Sequence, residues 1–252
     1  MYQNERMEAI LAILRKQGYA TVKYLTECLH YSTATVNRDL NRLEQAGEIK
    51  RTWGGVELLT PQTVPVLFRY DQGKPSKKRI AKRAAAEIED GDTVFMDGST
   101  TVQYMGHYIL EKKELTVITN NIALASSLSE AGIDVVVLGG RIMEAPYMLA
   151  GTDTVETAAR YKADKCFFST AFVTEGGEMA YTGDIYFSMH RTMMRNSSRV
   201  YYLVDREKVD RAGARMVLGD LSPVDVVISD HVFSEETRRR YPSTEFVEVD
   251  AK

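Results

Sequence analysis

Apolar positions in the first sixty residues recur at helical spacing, then give way to short runs. Met7, Ile10, Leu11 and Leu14 share one face of a helix predicted over Asn4 to Lys16, which Gly18 ends. Val22, Leu25 and Leu29 share a face of a second, over Val22 to Leu29. His30 and Tyr31 make a turn before Ser32, a good helix cap, and a third helix is predicted over Thr33 to Ala46 with Gly47 as its stop. In it Val36, Leu40 and Leu43 fall on one side, and Ala34, Arg38, Asn41, Arg42 and Gln45 broadly on the other. A short buried face backed by hydrogen-bonding groups is the pattern of a helix that packs on two others and enters a DNA major groove. An ordinary surface helix is the alternative. Ile49 to Trp53 and Val56 to Leu58 read as two strands around Gly54-Gly55, a small wing. Lys50 and Arg51 are expected on backbone phosphate, and Trp53 as an apolar anchor of the wing.

Beyond the wing the pattern changes. Thr60 to Pro75, with Pro61, Pro65, Gly73 and Pro75, breaks helices and predicts a linker over 60–75, with Phe68 and Tyr70 pinning part of it. It divides a head at 1–59 from a larger domain at 76–252. That domain opens with a helix from Ser76 to about Ile88, whose Lys77, Lys78 and Arg79 read as a solvated edge or an anion-attracting rim. Short apolar runs then alternate with helical stretches. Strands are predicted at Thr93 to Met96, Leu115 to Thr119, Val135 to Leu138, Cys166 to Ser169, Tyr201 to Val204 and Val226 to Ile228. Helices are predicted at Val102 to Leu110, with Met105, Ile109 and Leu110 along one side, and at Ile122 to Leu128. The expected architecture is a winged helix-turn-helix head followed by an α/β Rossmann-like sensor domain with a mainly parallel sheet. No Gly-x-Gly-x-x-Gly follows a strand, so no dinucleotide is expected.

Composition changes this picture little. The 252 residues carry a net charge of -3, which looks unpromising for nucleic acid. Distribution decides, however: residues 1–60 hold 8 Lys/Arg against 7 Asp/Glu, close to neutral, and the basic ones include Arg38, Arg42, Lys50 and Arg51 near the proposed reading surface. No apolar run approaches the length of a membrane span. Glu5, Arg6, Glu8, Arg15 and Lys16 rule the first eighteen residues out as a secretory signal. Cys28 and Cys166, both in apolar sequence, are expected as reduced core residues, and the four scattered histidines give no metal-ligand spacing. No cofactor and no metal site is expected.

Open parallel sheets bind ligands just past their strand ends. Asp97, Gly98, Ser99, Thr100 and Thr101 follow the first strand and open a helix, so hydroxyls and exposed amides would favour an anion. Thr119, Asn120 and Asn121 end the second strand, and Gly139, Gly140 and Arg141 the third. Each could be a simple turn or cap; three on one edge suggest a pocket.

These segments also carry a resemblance. Thr35 to Gly55, TVNRDLNRLEQAGEIKRTWGG, resembles the winged helix-turn-helix of the DeoR family of bacterial transcription regulators: Arg38-Asp39-Leu40, Leu43-Glu44, Gly47, Arg51 and Gly54-Gly55 sit as that pattern has them. The candidate DNA contacts are Ser32, Thr33, Thr35, Asn37, Arg38, Asn41, Arg42, Lys50 and Arg51. Asn37 stands where the family commonly has a basic residue, and an Asn can pair with adenine where Arg prefers guanine. FMDGSTT (Phe95 to Thr101), ITNNIALA (Ile118 to Ala125), VVLGG (Val136 to Gly140), Gly151, and Leu203-Val204-Asp205 with Lys208 resemble the family's effector domain, itself similar to ribose-5-phosphate isomerases and coenzyme A transferases. The resemblance implies effector contacts at Asp97, Gly98, Ser99, Thr100, Thr101, Asn120, Gly139, Gly140, Arg141 and Lys208, with Asp184 and His190 added from a divergent, aromatic-rich loop. There the family often has an acidic residue and a Lys two apart before a Met; here Ser188 and His190 precede Met193. His190 is as readily a surface residue as a ligand contact.

The resemblance implies a repressor of a carbohydrate-use operon, released by a phosphorylated sugar or related metabolite. It would act on double-stranded operator DNA as a homodimer or tetramer in the bacterial cytoplasm. Two other readings are an isomerase-like enzyme fused to a DNA-binding head, with Asp97 or Asp184 as base, and a DNA-binding scaffold without a ligand. No catalytic Cys/His pair, Ser elbow or metal cluster supports the enzyme.

Overall fold

Thr21 and Ser32 start the two helices on which the head is built. Each side chain accepts a hydrogen bond from the amide three residues on, Tyr24 N at 3.1 Å and Thr35 N at 3.3 Å. The helices are α2 (Val22–Leu29) and α3 (Thr33–Gln45), preceded by α1 (Gln3–Gln17). His30 turns the chain between α2 and α3 with φ 56°, and Gly47 ends α3 with φ 71°, a conformation in which a side chain would be strained. Ile10, Leu11, Leu14, Leu25, Val36, Leu40 and Leu43 from the three helices bury one core with Ile49 and Val56 from the wing. Burying each such side chain contributes about 1.5–3 kcal/mol.

The wing is a three-stranded antiparallel sheet rather than a lone hairpin. β2 (Ile49–Thr52) and β3 (Gly55–Leu58) pair as the sequence predicts, and β1 (Tyr19–Thr21) adds to β3 on its other side. Three residues of strand leave no readable alternation. Cys28 is exposed on α2, against the expectation of a core residue.

The structure is a computed structural model that describes residues 3–17, 19–52, 55–58, 70, 73–144, 148–181, 183–211, 213–214 and 216–250. The expectations for Gly18, Trp53, Gly54, Pro61, Pro65 and Phe68 lie outside these. The chain divides into two units, Met1–Arg69 and Tyr70–Lys252.

In the second unit α4 (Lys74–Ala85) begins two residues before the expected Ser76, because Gly73 at φ 60° turns the chain and Pro75 fits the first turn. Of its basic cluster, Lys78 is solvated as expected and the other two are not. Lys77 is buried, and Arg79 lies 3.5 Å from the buried carboxylate of Asp230.

Seven strands follow in one wholly parallel sheet: β4 (Thr93–Met96), β5 (Thr116–Thr119), β6 (Asp134–Val137), β9 (Ala163–Phe168), β12 (Ser197–Val204), β14 (Val226–Ser229) and β15 (Glu245–Glu248). Their order is β15-β14-β12-β9-β4-β5-β6. The order runs outward in opposite directions from the β4/β9 pair, which is therefore the topological switch point where α/β sheets open a crevice.

The predicted helix Val102 to Leu110 is instead α5 (Thr100–Gln103) and a 3₁₀ turn at Tyr104–Tyr108. Gly106 there packs so closely that a Cβ would stand 2.7 Å from Leu124, and Leu110 is exposed. α6 (Ile122–Glu130) follows β5. Further elements were not foreseen: the antiparallel ribbon of β7 (Arg141–Glu144) and β8 (Met148–Ala150), α7 (Thr152–Ala159), α8 (Phe187–Arg195), α9 (Glu235–Arg240), and a small antiparallel sheet of β10 (Phe172–Val173), β11 (Met179–Tyr181) and β13 (Met216–Gly219).

Candidate DNA-reading surface and effector site

On the head, α3 separates its two faces as the sequence predicts. Val36, Leu40 and Leu43 are buried, while Thr33, Arg38, Asn41, Arg42 and Gln45 are exposed. One charge breaks the pattern. Asp39 is fully buried and takes a two-pronged ion pair from Arg6 of α1, with Nη2 to Oδ1 at 3.0 Å and Nε to Oδ2. Tyr31 lies under the same guanidinium, 4.8 Å from its ring centre. The pair locks α1 to α3, and no sequence period announces it. Ser32 is occupied as the cap and its Oγ also meets Thr35 Oγ1 at 3.0 Å.

Lys50 is exposed on the wing, as a phosphate contact requires. Arg51 is placed differently. Its Nη2 donates to Asn41 Oδ1 at 2.8 Å, Asn37 Oδ1 at 3.1 Å and Asn37 O at 3.2 Å, and its Nε lies 3.6 Å from Glu44 Oε2.

In the second unit the strand ends gather a connected polar cluster at the switch point. Asp97, directly after β4, is buried and accepts from four donors: Ser99 N at 3.0 Å, Ser99 Oγ at 2.6 Å, Ser169 N at 3.1 Å and His190 Nε2 at 3.0 Å. A carboxylate only accepts, so the ring proton of His190 sits on Nε2. Ser99 Oγ also accepts from Val102 N at 3.3 Å and so caps α5. Lys208, three residues past Asp205 at the end of β12, donates to Ser169 Oγ at 2.8 Å and to Thr101 Oγ1 at 3.4 Å, with Asp205 Oδ2 at 3.7 Å.

His190 is not a surface residue. Phe168, Tyr181 and Tyr186 surround its ring, Tyr181 stacking at 5.7 Å and 13°. Tyr181 Oη lies 3.4 Å from its Nδ1 and donates to Ser169 O at 2.8 Å. Ser188 and Asp184 point to solvent instead. Behind Asp97, Cys166 is a core residue as expected; burial and then the Asp97 charge push its thiol well up, so it stays neutral.

Asn120, at the end of β5, donates Nδ2 to Leu149 O at 2.8 Å. Its Oδ1 is buried without a hydrogen-bond partner and flanks Gly98, where a Cβ would stand 3.2 Å from it. Thus Asp97, Gly98, Ser99, Thr101, Asn120, His190 and Lys208 are adjacent, and Thr100 is buried in the same helix start. Gly139, Gly140 and Arg141 are exposed: Arg141 opens β7 and pairs with Ala150 of β8, and Gly139, just before it, accepts at its backbone oxygen from Thr154 Oγ1 of α7. Ser169, Tyr181 and Asp205 belong to the cluster although none of them was among the expected effector contacts. Ser169 and Asp205 sit at the tips of β9 and β12, which is the signal that would have found them.

A winged helix-turn-helix followed by a parallel α/β unit with a polar cluster at its switch point is the plan of a ligand-responsive DNA-binding regulator. Residues 6–62 match the DeoR-like helix-turn-helix domain, and residues 73–231 match the DeoR C-terminal sensor domain. The chain belongs to the DeoR family and is a transcription regulator, not an enzyme.

The HTH-type transcriptional repressor GlcR of Bacillus subtilis (strain 168) is 33% identical over 236 residues, 92% of this chain and 90% of that protein. The glycerol-3-phosphate regulon repressor of Escherichia coli (strain K12) is 28% identical over 237 residues, 91% and 92% of the two chains. The lactose phosphotransferase system repressor of Staphylococcus aureus is 29% identical over 217 residues, 84% and 86%. Among solved structures, ribose 5-phosphate isomerase A from Methanocaldococcus jannaschii is 17% identical over 54% of each chain with a TM-score of 0.40, a likeness that bears on no functional point. Among the described residues no helix is long and apolar enough to cross a membrane.

Proposed function

We propose that the chain represses a carbohydrate-use operon from the bacterial cytoplasm, bound as a homodimer or tetramer to double-stranded operator DNA, and that a phosphorylated, hydroxyl-bearing metabolite releases it. The observation that carries this reading is the cluster at the β4/β9 switch point. Lys208 brings a cation to the Thr101 and Ser169 hydroxyls, and Asn120 Oδ1 is a buried acceptor that lacks a donor. An anion with hydroxyl groups answers both needs. His190 is tied to Asp97, so Lys208 carries the anion-binding role in this reading. Ser99 and Asp97 shape the loop, and Gly98 lets Asn120 and Met148 approach it. The regulons that name two relatives, glycerol-3-phosphate and the lactose phosphotransferase system, support the same ligand class.

The test is Lys208→Met in the full-length protein, with operator release titrated against a panel of sugar phosphates. Losing one charge-assisted contact should raise the concentration needed for release roughly 10- to 100-fold and leave ligand-free operator affinity unchanged. An unaltered release curve would remove Lys208 from the site. Failure of every sugar phosphate to release the wild-type protein would remove the ligand class.

A further inference from the structure

The position of Arg51 bears on how the head reads bases. Its guanidinium reaches back from the wing to α3 and does not extend outward. Nη2 is shared among Asn41 Oδ1, Asn37 Oδ1 and Asn37 O, and Glu44 Oε1 and Oε2 receive the Arg51 amide at 3.2 Å and face Nε at 3.6 Å. Its charge is therefore partly neutralised within the head.

A guanidinium has only donors. Each amide touching it must turn its oxygen inward, because the opposite orientation would set N–H against N–H. Asn37 and Asn41 stand four residues apart on one face of α3. An Asn that reads adenine in the two-bond mode uses Oδ1 for N6 and Nδ2 for N7. With both oxygens turned to Arg51, the Nδ2 groups lead outward.

We infer that Arg51 is a positioning residue of the reading surface: it fixes Asn37 and Asn41 so that α3 offers the major groove a pair of N–H donors. This rests on α3 being the DNA-reading helix. The pair selects acceptor edges, namely purine N7, guanine O6 or thymine O4, and disfavours the cytosine amino group. The two-bond adenine contact expected of Asn37 from its residue type is replaced by a simpler demand for an acceptor.

The experiment uses the full-length protein and an operator duplex that it selects from random sequence at fixed salt. The duplex is then rebuilt with bases lacking one of these acceptors: 7-deazapurines for purine N7, 2-aminopurine for guanine O6, and 5-methyl-2-pyrimidinone for thymine O4. One such replacement in each half-site should weaken wild-type binding about 10-fold or more, and the same replacement should leave Asn41→Ala or Asn37→Ala indifferent.

Arg51→Met should reduce the preference for operator over scrambled DNA by about 10-fold while the slope of log affinity against log salt stays at the wild-type value. Arg51→Lys keeps the charge but ends in one nitrogen on a different reach, so it cannot hold both amide oxygens and face Glu44 at once, and should behave like Arg51→Met. A phosphate contact predicts the reverse: a slope reduced by about one, a loss uniform over sequences, and rescue by Lys. That pattern, or an operator insensitive to every acceptor deletion, overturns the inference. The Asn41→Ala arm decides the question even if the Arg51 variants fold poorly, because it keeps the Arg51–Glu44 and Arg51–Asn37 contacts. No selected sequence at all would overturn the underlying assignment of α3.

Discussion

Gly139 and Gly140 look alike in the sequence and do different work. Gly140 has φ 128°, and a Cβ there would stand 2.3 Å from Thr154 Oγ1 and 2.7 Å from the Ala150 carbonyl. It lets the start of β7 close on the start of α7. Gly139 has open space around a Cβ and no positive φ. Gly140→Ala should therefore destabilise the second unit by about 1–3 kcal/mol from backbone strain alone, with the carbonyl clash in addition. Gly139→Ala should stay within about 0.5 kcal/mol of wild type. Urea melts of the two variants compare them directly, and equal midpoints would refute the distinction. The sequence marks both glycines by their place at a strand end; only the packing of Thr154 and Ala150 tells them apart. The same limit applies to His190. Its place in the chain could not reveal that Phe168, Tyr181 and Tyr186 bury it against Asp97, because these come from β9, β11 and the turn before α8.

At the scale of elements, legibility followed the length and uniformity of apolar runs. The strands β4, β5 and β14 and the second halves of β9 and β12 are mostly buried and read as apolar stretches. The strands β10, β11 and β13 have two to four residues, and Met216 and Val217 of β13 are exposed, so their sheet exists through pairings distant in sequence. A loop beside that sheet is held by one carboxylate. Glu175 Oε1 accepts from Ser234 N at 2.7 Å, its Oε2 meets His231 Nε2 at 2.6 Å, and its backbone oxygen accepts from Thr237 Oγ1 of α9 at 2.8 Å. Burial raises the Glu175 pKa, but the hydrogen bonds from Ser234 and His231 outweigh it and hold the group below the ordinary carboxylate range. A depressed carboxylate contributes stability that is fully present above its unfolded value, about 4.3, and lost as pH falls through the folded value. Glu175→Gln should thus be less stable than wild type at pH 7, with the gap closing as pH falls from about 5 toward 3. Because the side chain is about a third exposed, the gap will be modest. Urea midpoints at pH 7 and pH 4 provide the check, and a gap unchanged between them would show that the charge of Glu175 is not what ties the loop.

For the whole molecule, regulation requires that ligand and operator compete for the same population of conformations. A metabolite bound at Lys208 and Asn120 can release DNA only through a difference in its own affinity for the DNA-bound and DNA-free forms. That difference is reciprocal: if ligand weakens operator binding by some factor, operator must weaken ligand binding by the same factor. A release strong enough to regulate, about 100-fold, corresponds to roughly 2.7 kcal/mol of coupling, well within what one charge-assisted cluster can supply if it is intact in only one of the two forms. The prediction is that calorimetric titration of the effector into the protein alone and into its operator complex yields dissociation constants differing by the factor by which saturating effector shifts operator affinity, measured at one salt concentration and one oligomeric state. Identical effector affinities with and without operator would mean that occupancy of the switch-point cluster is not the signal for release. Binding at that cluster would then serve stability or assembly, and the element that moves the heads would have to be sought in another part of the chain.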